Sequence, residues 1–329
     1  IYDQSDSNKV VRNCMSENNV DLKQYSPKRF QAHISNLKNN MISPGEALQN
    51  AESFFEVKVA EIYSSYEKKL IMSNSMDFDD LLMKTNELLN NYPEVLAKYQ
   101  EKFKYILVDE YQDTNNSQYL IVKSLSDKYQ NICVVGDDAQ SIYSFRGANI
   151  NNIINFRNDY EEVEVFRLEQ NYRSTKNIVN AANSVIEHNK NKIDKEVWTD
   201  NDFGDRVEII ANDSDIGEAR GLCQKIISLN NTNFSNIAIL YRTNAQSRPI
   251  EDSLRLNKIP YQIFGGVSFY NRKEIKDVLA YLRLIVNSSD EESLKRVINY
   301  PARGIGQVTI NKIILAAQKY NLTLYETIK

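Results

Sequence analysis

The sequence predicts an α/β protein, a parallel sheet covered by helices and flanked by helical segments at both ends. Three observations predict it. Short, nearly continuous apolar runs such as "YILVDE" (105–110) and "NICVVGD" (131–137) read as strands buried on both faces. Stretches of helical periodicity separate those runs, which is the alternation of a parallel sheet. Before about residue 100 and after Arg272 the periodicity is helical alone.

Taken in order, residues 1 to about 100 read as helices. In "SPGEALQNAESFFEVKVAEIYSSYEKKLIM", Pro44 suits a first-turn position after Ser43. "FDDLLMKTNELLNN" continues that pattern up to Pro93. Candidate strands then follow at 105–110, 131–137, 163–169, 206–212, 236–243 and 260–266. Helices are expected at 116–128, 174–189, 215–229 and 246–257. No internal repeat or low-complexity tract interrupts them.

Bulk composition narrows the function classes. The 329 residues are 42% hydrophobic and 26% charged, as in an ordinary soluble globular protein of two or three domains. No run of about 18 apolar residues exists to span a membrane. Cysteines at 14, 133 and 223 show no C-x-x-C and read as reduced cytoplasmic thiols. His33 and His188 make no metal pattern. A net charge of −4 gives no global basic footprint, so any nucleic-acid contact must come from local geometry. The chain opens "IYDQSDSNKV" and closes "LTLYETIK", which reads as part of a longer polypeptide.

Ligands of α/β sheets collect beyond the carboxyl ends of strands. The first such end carries Asp109 and Glu110 in "YILVDEYQDT". A strand ending in two carboxylates suits Mg²⁺ at Asp109 and an attacking water at Glu110. Acids that solvate a strand end, with Asp113 or Thr114 capping the next helix, fit the hexapeptide equally. None of the ten glycines precedes a lysine, so the phosphate-gripping G-x-x-x-x-G-K-[ST] loop is not in this sequence. The second strand leads into "VVGDDAQSIYSFRGAN", where Gln140 can contact a terminal phosphate and its attacking water. Tyr143, Phe145 and Arg146 then form either a base-stacking platform or packing beneath the loop. Third, "LEQNYRST" places Tyr172 and Arg173 just before a helix that Ser174 or Thr175 can cap. That position suits an anion or a structural ion pair.

In this order and spacing the three motifs resemble superfamily-one DNA helicases of the UvrD/PcrA/Rep type, most closely the PcrA group. The likeness extends over the whole chain, through "SMDFDDLLMKTNELL", "LEQNYRSTKNIVNAAN", "AILYRTNAQSR" and "IPYQIFGGVSFYNRKEIKDVLAYLRLI". It implies RecA-like P-loop NTPase motor domains, present in part, with helical inserted domains. By that likeness residues 1–74 are the helical insertion of the first motor and 75–174 its second part. Residues 175–271 begin the second motor, and 272–329 begin its helical accessory insertion.

The resemblance also implies cofactors, partners and roles. ATP and Mg²⁺ are expected, with Asp109 and Glu110 at the metal, Glu110 as catalytic base and Gln140 as phosphate sensor. Tyr172 packs on adenine and Arg173 acts as an arginine finger. Phe78, Tyr143, Phe145 and Arg146 resemble the DNA track, Phe145 standing where close relatives usually carry Trp. A core Phe on an amphipathic helix is the alternative for Phe78. Arg242 and Asn244 in "YRTNAQSR" match strand-tracking residues, or else a plain turn. Arg303, Gly304, Gly306 and Thr309 in "PARGIGQVTI" match a duplex-contacting element, or a Gly-rich turn. The implied parent is a cytoplasmic, monomeric 3′ to 5′ helicase. It would act on single-stranded DNA and single–double-strand junctions, with repair or replication proteins as further partners. The chain alone is expected to be inactive as an ATPase. A helicase subunit of a helicase–nuclease, or a non-catalytic module binding single-stranded DNA or a partner protein, are the alternatives.

Overall fold

The computed structural model describes residues 1–160, 162–190, 192–229, 233–264, 272–320 and 322–329. In chain order the elements begin with six helices: α1 (Gln4–Glu17), α2 (Pro27–Asn39), α3 (Pro44–Gln49), α4 (Phe54–Met72), α5 (Phe78–Asn91) and α6 (Pro93–Lys102). Strand β1 (Ile106–Val108), α7 (Asn116–Ser126), β2 (Ile132–Val134) and a single turn, α8 (Asn151–Ile154), follow. The remainder holds α9 (Lys176–Ile186), α10 (Asp215–Ser228), α11 (Ser247–Leu256), α12 (Lys273–Val286), α13 (Glu291–Val297), α14 (Gln307–Tyr320) and α15 (Leu324–Ile328). The fold is α/β, rich in helix, with a small parallel sheet among the described residues.

Local chemistry explains the starts. Ser43, Ser53, Asp77 and Asn115 each accept a bond from the backbone three residues on. Glu46, Glu56, Asp80 and Gln118 each return one to the cap residue's own N–H. These reciprocal caps satisfy amides that a helix end otherwise leaves orphaned. Pro44 occupies the first turn of α3, as its fixed φ favours.

The chain forms two compact units. The first comprises Ile1–Arg167, Asn189–Lys195 and Lys273–Lys329; the second comprises Leu168–His188 and Glu196–Arg272. In the first unit α1, α2 and α4 bury Val11, Met15, Phe30, Ile34, Ile62 and Tyr63 among them. Each such side chain contributes about 1.5–3 kcal/mol by leaving water. Phe30 and Ile34 lie four residues apart on α2, and Lys38 continues the same stripe. Lys38 is fully buried, and its Nζ lies 2.8 Å from Asp80, 3.0 Å from Asp77 and 2.7 Å from Glu67. The contact with Glu67 is an ion pair whose direction falls outside hydrogen-bond geometry. Tyr66 also donates to Asp77 at 2.8 Å. Burial disfavours the ammonium, but these carboxylates outweigh it and hold the Lys38 pKa above the lysine range. The cluster ties α2 and α4 to the first turn of α5.

In the second unit α10 and α11 share a core of Ala219, Cys223, Ile226, Ile250, Leu254 and Ile259. The helices expected at 116–128, 174–189, 215–229 and 246–257 are all present within a few residues of those bounds.

The strands are fewer than the sequence predicts. Residues 105–110 and 131–137 supply β1 and β2, paired in parallel with Ile106 opposite Ile132 and Val108 opposite Val134. Segments 163–169, 206–212 and 236–243 form no strand, and neither do the described residues of 260–266; 265–271 lie outside the described residues. A lone parallel bridge joins Gln170 to Trp198. A parallel strand exists through its neighbours' hydrogen bonds, and apolar composition alone cannot provide them. Many side chains of those segments are correspondingly open, with Leu168 84%, Ile209 97% and Leu240 94% exposed, although Ile237, Ile239 and Tyr241 pack against the α10–α11 core.

Candidate nucleotide and nucleic-acid site

The carboxyl ends of β1 and β2 carry the chemistry of the first unit. Directly after Val108, Asp109 and Glu110 are exposed. Glu110 adopts a left-handed backbone, φ 50°, which is uncommon outside glycine and turns the chain into a short 3₁₀ segment, Tyr111–Asp113. Asp109 Oδ1 accepts from the Glu110 amide at 2.9 Å. Glu110 Oε2 accepts from Gln112 Nε2 at 2.8 Å.

Beyond β2, Gly136 is needed because a Cβ there would come within 2.5 Å of Gln112 Oε1 and 2.8 Å of Ile153 Cδ1. The Asp137 amide then donates to Gln112 Oε1 at 3.0 Å. Asp137 Oδ2 accepts from Gln140 Nε2 at 2.8 Å, and its Oδ1 meets Lys195 Nζ. Lys195 also reaches Asp138 Oδ1 at 2.6 Å, while the Ile193 amide takes Asp138 Oδ2 at 2.9 Å. Burial alone would raise the Asp137 pKa; the bonds from Lys195 and Gln140 bring it below the usual aspartate value. Ile193 and Lys195 thus strap the Gly136–Gln140 turn.

The same loop continues into an aromatic–cation cluster. Tyr143 and Phe145 lie 6.0 Å apart, ring centroid to centroid, and Phe145 is 69% exposed. The Arg146 guanidinium stands 5.1 Å from the first ring and 5.4 Å from the second. Gly147, at φ 88°, ends this turn. Rings open to solvent beside a cation suit base stacking better than a role in packing. Phe78 opens α5 and is 62% exposed, so it is not the core residue that an amphipathic helix would allow. Phe78, Phe145 and Arg146 line one cleft of about 1280 Å³, whose lining also includes Lys9, Arg12 and Lys28 from α1 and α2. Asp77 and Asp79, which flank Phe78 in the same lining, are engaged, the first by Lys38 and Tyr66, the second by Asn39 at 3.0 Å.

The second unit holds the third motif. Asn171 Oδ1 accepts from the amides of Arg173 and Ser174, closing a turn before α9. Tyr172 is 79% exposed and donates to Gln170 Oε1 at 2.7 Å. Arg173 is exposed, with no ion pair from its guanidinium among the described residues. Thr175 takes the cap position of α9 but makes no side-chain cap bond; its Oγ1 is buried against Gly204. Arg242 and Asn244 sit in a turn where Gln246 Oε1 accepts from the amides of Arg242 and Thr243.

Gly304, at φ 73°, and Gly306 precede α14, which carries an exposed Thr309 in its first turn. Arg303 folds back on its own chain. Its guanidinium donates to the carbonyls of Val297 at 2.7 Å and Ile298 at 3.0 Å, and to Tyr281 Oη at 2.7 Å. In this arrangement it satisfies the carbonyl end of α13 while the residue itself stays exposed.

Gln112, Lys195 and Lys38 are the residues that motif reading passes over. Lys38 was accessible from its i, i+4, i+8 spacing with Phe30 and Ile34. Gln112 gives no signal of its own inside "DEYQDT", because its burial depends on the 3₁₀ turn.

Asp109 and Glu110 fit a magnesium ion. They offer two adjacent, exposed hard-oxygen donors, and buried Asp113 Oδ1 beside them has no hydrogen-bond partner. No group of three or more candidate metal ligands occurs among the described residues.

Comparison with known proteins gives two family matches. Residues 1–161 match the UvrD/REP helicase N-terminal domain, and residues 166–329 match the UvrD-like helicase C-terminal domain. The chain is 46% identical over 332 residues to the ATP-dependent DNA helicase PcrA of Bacillus subtilis (strain 168). It is 44% identical over 330 residues to the protein of that name from Staphylococcus aureus (strain NCTC 8325 / PS 47). Each alignment takes in all of this chain and 45% of the relative, so the chain spans a little under half the length of these proteins.

Proposed function

Because the chain belongs to the UvrD/REP helicase family, we propose that the protein carrying it is an ATP-dependent DNA helicase moving 3′ to 5′ on single-stranded DNA. The observation that supports this best is that the paired carboxylates and the exposed aromatic loop leave adjacent strands of one parallel pair. Hydrolytic groups and a stacking surface built on one sheet edge are what a nucleic-acid motor requires.

In this reading residues 1–74 are the insertion of the first motor, 75–174 its second part, 175–271 the start of the second motor and 272–329 the start of its accessory insertion. Asp109, with Glu110, would hold Mg²⁺, which supplies charge neutralisation at the transferred phosphate. Glu110 takes the proton of the attacking water, its carboxylate kept in orientation by the Gln112 amide. Gln140 senses the terminal phosphate from a loop fixed by Asp137. Arg173 neutralises phosphoryl charge and Tyr172 stacks on adenine, both from open positions. Tyr143, Phe145 and Phe78 stack on bases, with Arg146 on the backbone. Arg242, Asn244, Gly304, Gly306 and Thr309 contribute phosphate contacts, and Arg303 joins them only after leaving its carbonyl partners.

ATP turnover by the full-length protein, with and without single-stranded DNA, tests the reading. Strong stimulation by DNA is expected, and Glu110→Gln should abolish turnover while DNA binding persists. Undiminished turnover in that variant would remove Glu110 from its role. The isolated 329-residue chain, which has no G-x-x-x-x-G-K-[ST] loop, should not hydrolyse ATP.

A further inference from the structure

We propose that Gln112 is a positioning residue through which the nucleotide site and the DNA-stacking loop sense each other. The inference rests on the ATP and DNA roles given above and concerns how they are coupled.

The side chain is 1% exposed and touches neither proposed ligand directly. Its two amide ends are used in opposite senses. Nε2 donates to the Glu110 carboxylate at 2.8 Å, and Oε1 accepts from the Asp137 amide at 3.0 Å. The chemistry fixes that orientation, because a carboxylate can only accept and a backbone N–H can only donate. The main chain of Gln112 is held by the same loop, for its carbonyl accepts from Ser141 Oγ at 3.2 Å. At Gly136 a Cβ would come within 2.5 Å of Gln112 Oε1, so the loop seats directly on this amide.

From Asp137 the connection runs on to Gln140 at 2.8 Å, then along five residues to Phe145. Displacing Glu110 when nucleotide enters therefore pulls on Nε2. A rigid planar amide passes that displacement to the Asp137 amide and to the turn that carries Tyr143 and Phe145. Asn carries the same donor and acceptor but is one methylene shorter. Energetic coupling between two sites requires a shared element that each of them biases, and this buried bridge is such an element.

The test is a linkage measurement on the full-length protein. The affinity for a fluorescein-labelled oligo-dT strand is read by anisotropy with and without a non-hydrolysable ATP analogue and Mg²⁺. A ratio of about 5–150 between the two affinities is the usual range for coupled sites. In Gln112→Met the ratio should fall close to one, while the affinity without nucleotide stays within a few fold of the parent's. Gln112→Glu keeps the shape and the acceptor for Asp137 but sets a second carboxylate against Glu110. It should lose the ratio too, and it decides the matter if the Met variant does not fold. A parental ratio in either folded variant would overturn the role of Gln112. A ratio of one in the unmodified protein, or no binding of the analogue, would instead overturn the helicase reading beneath it.

Discussion

At the scale of single residues, Lys38 carries the clearest energetic consequence. Three carboxylates converge on one buried ammonium, and removing it leaves their charge uncompensated. Lys38→Met should cost about 3–5 kcal/mol of stability, read as a lower midpoint in urea unfolding. Burial already raises the pKa values of Glu67 and Asp80 in the folded protein, despite Lys38. A carboxyl group with a raised folded pKa binds its proton more tightly in the native state. Its contribution is complete in acid and is lost as pH rises through and above the ordinary carboxylate range. The Met variant should therefore be closer to the parent at pH 5 than at pH 8, and an equal deficit at both would count against the buried-charge account. The carboxylate pair at 109–110 was legible in the sequence because its members are adjacent behind an apolar run. Lys195 was not, since its partners Asp137 and Asp138 lie more than fifty residues away and only the folded strap brings them together.

Among the elements, helices and strands differ in how far sequence foretells them. Helices α3, α4, α5 and α7 announce themselves because each satisfies its own terminal amides with side chains three residues apart. Segments 206–212 and 236–243 have strand composition yet no ladder, because the partner that defines a parallel strand is never local. The α1–α2–α4 bundle makes a prediction of its own. Tyr2, Tyr63 and Tyr66 are buried in it, and burial first, then nearby carboxylates, raises each phenol far above its usual value. Raised folded values mean stability is intact below about pH 10, where free tyrosine titrates, and is lost above it. Helical circular dichroism and tyrosinate absorbance should change together in an alkaline titration. Full tyrosinate formation with the helices intact would contradict the burial of these rings.

For the molecule as a whole, a formal charge of −4 masks a locally cationic cleft. Arg146, Lys9, Arg12 and Lys28 line it, and among the described residues Arg12 and Lys28 form no ion pair. The isolated chain should bind oligo-dT weakly. Its binding constant should fall with salt at a logarithmic slope of about −2 to −3, given some 0.7 per phosphate neutralised on a single strand. A flat salt dependence would leave stacking as the whole of the interaction. No helix among the described residues is long and apolar enough to cross a membrane. The two units are interleaved along the chain, which passes from one to the other after Arg167, His188, Lys195 and Arg272. A single recombination breakpoint can therefore never exchange one unit intact for that of a relative. Chimaeras that trade a unit need all four junctions at once; the carboxylate loop then stays with its Lys195 strap, while the arginine turn travels with the other unit.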